Sequence, residues 1–484
     1  MPAGMTATGP PGYRALMGLV AGPLVFLGVL VAPAPSGLTD TGWHVAGLAL
    51  LMALWWITEA VPIPVTALLP LIALPLLGVG TMKTAAAPYA SPVIFLFLGG
   101  FILAAGLQTS GLHRRLALAI VSLIGTTPSR LVAGFMAATA FTSMWVSNTA
   151  TVMMMLPIAA SILAVLDRRG KPTARLAISL LLGIAYAANI GGLATLIGTP
   201  PNALLAGFME ETYGITLGFA RWMALGLPLV AVALPLCWLL LTRVMFPPEG
   251  TGGTDGSDAL LQAERRTLGP VSGSERIVAV ITVATAAAWV FRPLLSRAVP
   301  GLTDAGIAIA GATLLFVVPL RWPRPTFLLR WSDVEDLPWG VLILFGGGIS
   351  LAAAIRTSGL ADWIGQTMSG LGALPVLVVV GAVTTVIVFL TEINSNTATA
   401  ATFLPVVAAL ATGIGIDPLV LAAPTALAAS CAFMLPVATP PNAIVYASER
   451  VPIGAMVRAG LVLNGLMIVL ITGMVTAFFH LWGG

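Results

Sequence analysis

The sequence predicts an all-α polytopic membrane protein made of two related halves, and three observations carry that prediction. Of 484 residues, 58% are hydrophobic and only 8% charged, with a mean hydropathy of +1.01. A water-soluble surface needs roughly three times that share of charge, so most of this surface faces lipid. A polar phrase, Ser-Asn-Thr-Ala-Thr followed by Leu-Pro, occurs twice in apolar surroundings, at residues 147–157 and 395–405. A second polar break follows each copy: Gly198-Thr199-Pro200-Pro201-Asn202 in the first half and Ala438-Thr439-Pro440-Pro441-Asn442 in the second. Upstream, Gly99-Gly100 and Thr109-Ser110-Gly111-Leu112 recur as Gly347-Gly348 and Thr357-Ser358-Gly359-Leu360. Long segments repeated in order indicate an internal duplication.

Taken in order, residues 1–14 are rich in Gly, Pro and Thr and read as disordered. Residues 1–42 then hold a first apolar span at 15–32, too long for a signal-peptide core. The first repeat, 43–246, carries spans at about 43–60, 62–79 and 91–112, followed by His113-Arg114-Arg115 and an amphipathic arm to about 126. Residues 130–167 are apolar except at their middle, with Arg130 at one end and Asp167-Arg168-Arg169-Gly170-Lys171 at the other. Both ends read as cytoplasmic by the positive-inside rule. Each half is short for a full span, so this is a re-entrant hairpin with its tip at membrane depth. The run 174–210, interrupted by the first Thr-Pro-Pro-Asn, is a broken span, and the next covers about 222–246.

Residues 247–276, with Glu249, Asp255, Asp258, Glu264, Arg265 and Arg266, read as a hydrated cytoplasmic loop joining the halves. The second repeat, 277–484, holds spans at about 277–295 and 303–320, then a basic stretch with Arg321, Arg324 and Arg330. A span at 338–359, a second hairpin at 374–413, a second broken span at 418–449 and a last span at about 453–480 follow. Asp362 and Asp417 flank the second hairpin without nearby Lys or Arg, which sets its ends outside. The count is about 11 transmembrane helices plus two re-entrant hairpins. Segment 91–112 then runs inward and its copy 338–359 outward, so the repeats are inverted, the N-terminus is cytoplasmic and the C-terminus lies outside. Inverted repeats with broken helices near the midplane are the architecture of secondary transporters.

The breaks carry the chemistry. Thr149 and Thr397 stand where a new half-helix starts, and Thr199-Pro200 and Thr439-Pro440 form the N-cap and first-turn pairing of another. Free N–H groups there favour an anion. The half-helices that end at each break offer carbonyls, and oxygen-only ligands suit an alkali cation. Neither tip nor either Thr-Pro-Pro-Asn break contains Lys, Arg or His. A bound dianion therefore takes its counter-charge from co-bound cations, which points to cation-coupled anion symport. Glu392 is an intramembrane acid with either a functional or a bracing role. The net charge of +4 reads as basic loops rather than a nucleic-acid site. Cys237 and Cys431 lie in apolar runs as packing residues. Neither HExxH nor GxSxG occurs, so nothing marks a hydrolase.

At these residues the chain resembles the divalent anion/sodium symporter family, carriers of dicarboxylates, tricarboxylates or sulfate. The matching residues are Trp55-Trp56-Ile57-Thr58-Glu59-Ala60, both Ser-Asn-Thr motifs, and the stretch from Ser430 through Phe433, Pro436-Val437-Ala438 and Asn442 to Val445. The resemblance implies a homodimer in the cell (inner) membrane, with scaffold regions holding two elevator-type transport domains. It implies one sodium site at Ser143, Ser147, Asn148 and Gly198, and a second at Thr391, Asn394, Asn396 and Ala438, several through main-chain carbonyls. Asn394 stands where the family has a small residue. Substrate carboxylates would rest on Ser147, Asn148, Thr149, Ser395, Asn396, Thr397, Thr439 and Pro440. The expected activity is sodium-coupled import of a C4-dicarboxylate such as succinate. The alternatives are a sodium/sulfate symporter and the family's sodium-independent dicarboxylate exchangers.

Overall fold

Prolines and capping hydroxyls mark where most apolar runs of this chain enter and leave helix. The computed structural model describes residues 13–168, 173–248, 257–321 and 326–482. It opens with α1 (Tyr13–Val31), so Tyr13 and Arg14 are helical, not part of the expected disordered lead. Residues 1–12 lie outside the described residues. α2 (Asp40–Thr58) is capped by Thr39, whose hydroxyl accepts from Gly42 N at 3.0 Å. Trp55 Nε1 donates to Gly18 O at 3.1 Å, tying α2 to α1.

The expected span at 62–79 is instead two short helices, α3 (Ile63–Thr66) and α4 (Leu69–Leu76). Pro64 and Pro70 each fit the first turn of a helix but lack the N–H that would continue a preceding one. α5 (Met82–Ala86), held by a Thr81/Thr84 capping box, leads to α6 (Pro92–Ser110). Gly111, at φ 76°, turns the chain into the amphipathic arm α7 (Leu112–Ile124). The first hairpin is α8 (Pro128–Ser143) and α9 (Asn148–Arg168); its flanking Arg169, Gly170 and Lys171 lie outside the described residues. α10 (Ala174–Gly192) and α11 (Pro200–Tyr213) flank the first break, and α12 (Phe219–Leu239) closes the half.

The joining segment is not all loop. It contains α13 (Ser257–Thr267), which buries Leu261, packs on α7 and α9, and sets Glu264 against Arg114. Glu249 and Asp255 lie outside the described residues, as does Arg324. α14 (Gly273–Val290) starts earlier than the hydropathy suggests because Ser272 and Glu275 form a capping box. α15 (Arg292–Ala298), α16 (Asp304–Val317) and a two-stranded antiparallel ribbon, β1 (Pro319–Arg321) with β2 (Thr326–Phe327), follow.

The remaining elements are α17 (Trp339–Thr357), α18 (Leu360–Thr367), α19 (Val376–Thr391), α20 (Asn396–Gly413), α21 (Pro418–Ala429), α22 (Pro440–Tyr446) and α23 (Ile453–Trp482). α17 to α23 repeat the order of α6 to α12, down to a left-handed glycine, Gly359 at φ 78°, before the arm. The arm α18 was legible in the Gly-Leu copy but not read from it. α11 packs on α20 and α21, while α22 packs on α9 and α10, so each half closes on the other's hairpin. The two broken helices thus meet at the centre of the bundle.

Among the described residues, nine helices are long and apolar enough to cross a membrane, and four apolar helical segments are shorter. Contacts between remote turns sort them into two ends of the bundle. Arg115–Glu275 and Asp167–Arg450 ion pairs lie among the turns read as cytoplasmic. At the turns read as outer, Thr39 Oγ1 donates to Ser358 O and Trp363 Nε1 to Ser36 O.

Close helix approach sets the sensitivity of this packing. A Cβ on Gly99 of α6 would lie 2.6 Å from the carbonyl carbon of Ala308 in α16, whereas one on Gly28 of α1 meets nothing within 4 Å. Gly99→Ala is expected to destabilise by about 1–3 kcal/mol, and Gly28→Ala to be neutral or stabilising by up to about 1 kcal/mol. Melting of the purified variants in detergent, followed by size exclusion, checks both; equal melting of the two contradicts this packing.

Candidate cation and anion site at the two breaks

A helix that stops inside an apolar bundle leaves backbone groups that only the protein can satisfy. α8 ends at Ser143, the chain turns through residues 144–147, and α9 restarts at Asn148. The exposed Ser147 accepts from Ala150 N at 3.3 Å and caps the new helix. The hydroxyl of Ser143, fully buried, lies within hydrogen-bond distance of Asn148 Oδ1 and of Ala188 O, the latter at 2.8 Å. Three oxygens therefore converge, a hydroxyl, an amide oxygen and a helix carbonyl. Gly198 lies on the same side of Gly192: a Cβ on Gly192 would lie 3.0 Å from Asn148 Oδ1 and 3.1 Å from Gly198 O, so the Gly192 position borders both.

The second half builds the same trio. Thr391 Oγ1 lies 2.8 Å from Asn396 Oδ1 and 2.7 Å from Ala429 O. Again a hydroxyl, an amide oxygen and a carbonyl converge, an oxygen-only set of the kind that suits a hard cation. Asn394 is buried and accepts from Ser395 N through its Oδ1 at 2.9 Å, so its side chain is spent on its own tip. Ala438 sits buried in the second break. Thr149 and Thr397 lie half-buried in the first turns of α9 and α20, Ser395 precedes Asn396 at the tip, and Pro440 opens α22 exposed.

Each break is held open by a buried asparagine. Asn202 Nδ2 donates to Gly192 O (3.2 Å) and Thr195 O (2.9 Å); Asn442 Nδ2 donates to Ala432 O (3.1 Å) and Leu435 O (3.0 Å). The Oδ1 of both is buried without a donor. Thr439 caps α22, accepting from Asn442 N at 3.4 Å. Thr199 holds the N-cap position of α11, but its hydroxyl bonds Ser430 Oγ at 3.2 Å across the halves.

The structure gives Glu392 the bracing role. Its carboxylate accepts from the N–H groups of Phe433 (2.7 Å), Met434 (3.0 Å) and Leu435 (3.2 Å), and from Asn464 Nδ2 of α23 (2.7 Å). Successive N–H groups of this kind form an anion nest, and here the anion is part of the chain.

Four residues missed by the sequence reasoning complete the site: Asn189, Thr195, Asn464 and Trp222, whose Nε1 donates to Leu193 O in the first break at 3.0 Å. Asn189 in α10 and Asn464 in α23 are amides in otherwise apolar runs, a signal that was present.

The family model described as the sodium:sulfate symporter transmembrane region matches residues 14–483. The chain belongs to the sodium:sulfate symporter family. It is therefore a multi-pass membrane protein of a transporter family. Relatives of this chain include the sodium-dependent dicarboxylate transporter SdcS of Staphylococcus saprophyticus, 41% identical over 466 residues, covering 94% of this chain and 90% of the relative. SdcS of Staphylococcus aureus is 42% identical over 467 residues, covering 94% and 89%. Two solved structures share the fold at low identity: the YdaH transporter of Alcanivorax borkumensis (TM-score 0.57, 15% identity, 97% of each chain) and MtrF of Neisseria gonorrhoeae (TM-score 0.61, 16%, covering 97% and 95%).

Glu392→Gln places an amide N–H against backbone donors, and hydrogen bonds to a charged group are worth about 1.5–3 kcal/mol each. Loss of stability of that size is expected, measured by thermal melting in detergent; a variant as stable as the wild type contradicts the bracing role.

Proposed function

We propose that this chain is a sodium-coupled secondary symporter that imports a small divalent anion, a C4-dicarboxylate such as succinate. The observation that carries the proposal is the pair of oxygen clusters, Ser143/Asn148/Ala188 and Thr391/Asn396/Ala429, beside two helix starts whose tip segments contain no Lys, Arg or His. Sodium sits at Ser143, Ser147, Asn148 and Gly198 in one half and at Thr391, Asn394, Asn396 and Ala438 in the other. The anion lies between the tips, on Ser147, Asn148, Thr149, Ser395, Asn396, Thr397, Thr439 and Pro440. The starts of α9 and α20 direct N–H groups toward it, and Thr439 adds a hydroxyl. Relatives named as sodium-dependent dicarboxylate transporters favour the dicarboxylate; the family description favours sulfate as the runner-up substrate. An exchanger would not need the cation clusters.

The finer architecture belongs to the same reading. Eleven crossings follow when α9 is taken as a hairpin arm and α3/α4, α16 and α21/α22 as shorter or broken crossings. The repeated order of elements, with α6 ending near the Arg115–Glu275 end and α17 near the Thr39–Ser358 end, supports inverted repeats. The domains are residues 1–42, the repeat 43–246 with hairpin 130–167, the linker 247–276 and the repeat 277–484 with hairpin 374–413. Within a homodimer in the inner membrane, N-terminus cytoplasmic and C-terminus outside, the hairpins and broken helices move together as an elevator. No bond is made or broken in the anion, so this is not an enzyme.

Asn148→Ala and Asn396→Ala are each expected to abolish labelled succinate uptake into proteoliposomes under an inward sodium gradient, while the proteins remain folded and dimeric by size exclusion. Wild-type rates in either variant contradict the site. Unlabelled sulfate as competitor ranks the two anions, and a requirement for internal dicarboxylate identifies exchange.

A further inference from the structure

The two halves repeat each other at almost every polar position of the site, and they part company at the end of the helix before each break. Asn189 in α10 is followed by Gly192 and the first break; Ser430 stands at the corresponding point after α21. Ser430 is short and reaches only Thr199, at 3.2 Å. Asn189 is longer, 1% exposed, and spans three groups. Its Oδ1 accepts from Asn148 Nδ2 at 3.3 Å, and its Nδ2 lies 3.3 Å from both Ala432 O and Thr439 Oγ1. One amide thus joins the first hairpin tip to the cap of α22 in the other half.

The consequences follow from amide geometry. An asparagine side chain is planar, and anchoring its Nδ2 sets the direction of its Oδ1. With Nδ2 of Asn148 held by Asn189, Asn148 Oδ1 faces Ser143 and the first oxygen cluster. The hydroxyl of Thr439, held from the other side, keeps the first turn of α22 in register with that cluster. A cation that fixes Asn148 Oδ1 therefore also fixes, through one buried residue, the Thr439 hydroxyl in the opposite half, which accepts from Asn189 and Asn442 and has its own proton left to donate to an anion. Buried hydrogen-bonded chains of this kind act as units.

We infer that Asn189 is the positioning residue that couples cation occupancy at Asn148 to anion binding at the Thr439 hydroxyl. The inference rests on the symport reading above and goes beyond it by naming the link between the two ligands.

The test measures the apparent succinate KM of reconstituted protein at low and at saturating sodium. In the wild type the KM falls as sodium rises. In Asn189→Ala the KM at saturating sodium is expected to rise about tenfold, as for loss of a buried hydrogen bond, with Vmax within about twofold and the KM no longer responding to sodium. Asn189→Ser, a smaller change that keeps a buried hydroxyl, is expected to shift in the same direction by less, and it stands in if the alanine variant does not fold. A variant with lowered Vmax but wild-type KM and wild-type sodium response has lost only folded protein, and overturns the coupling role. Uptake by the wild type that ignores sodium overturns the symport reading, and this inference with it.

Discussion

Everything at the centre of this protein depends on one constraint: backbone that leaves helix inside an apolar slab must find every hydrogen-bond partner within the chain. The breaks at residues 193–199 and 430–439 meet it with the same device, a buried asparagine amide whose Nδ2 clasps two carbonyls, Asn202 in one half and Asn442 in the other. The last helix of each half then moves in against the break, which a glycine permits. A Cβ on Gly226 would lie 2.5 Å from Leu193 O, and one on Gly460 would lie 2.4 Å from Phe433 O. The breaks are therefore built structures, rigid enough to present carbonyls and helix starts in fixed directions.

Duplication supplied two copies of that device, and the copies were finished differently. In the first half Trp222 donates to a break carbonyl, so the surplus acceptors are covered by a donor from α12. In the second half the groups left by the break include N–H donors, and Glu392 covers three of them with its two oxygens while Asn464 Nδ2 also donates to its Oε1. The halves also exchange contacts across the pseudo-symmetry, Thr199 to Ser430 and Asn189 to Thr439, so neither break can shift without the other.

Much of this was legible in the sequence. Ser-Asn-Thr in an apolar run too short for two spans gave both hairpins, and Thr-Pro-Pro-Asn gave both restarts, because a capping hydroxyl followed by proline has few other uses in a membrane helix. The split at Pro64 and Pro70 was hidden because proline is compatible with apolar hydropathy, and residues 62–79 look continuous on that scale. α13 was hidden because its neighbours in sequence are Gly- and Thr-rich, while its stability comes from docking Leu261 and Glu264 on α7, a tertiary contact no local pattern encodes. Asn189 and Asn464 were visible as isolated amides, but their roles depend on which break each faces, and that is decided by how the halves interlock.

The chemical account reduces to charge. The tips and the Thr-Pro-Pro-Asn breaks offer hydroxyls, amides, carbonyls and helix starts but contain no Lys, Arg or His, and in the proposed function a dianion held there is balanced by cations in the two oxygen clusters. The most direct measurement is equilibrium binding of succinate to the purified wild-type protein, in sodium and in potassium at equal ionic strength. The account predicts binding that is saturable in sodium and lost, or weakened by at least about a hundredfold, in potassium, the fold-change that about 2.7 kcal/mol of lost cation attraction produces. Equal affinity in the two salts would contradict it, because the protein would then be neutralising the anion by itself.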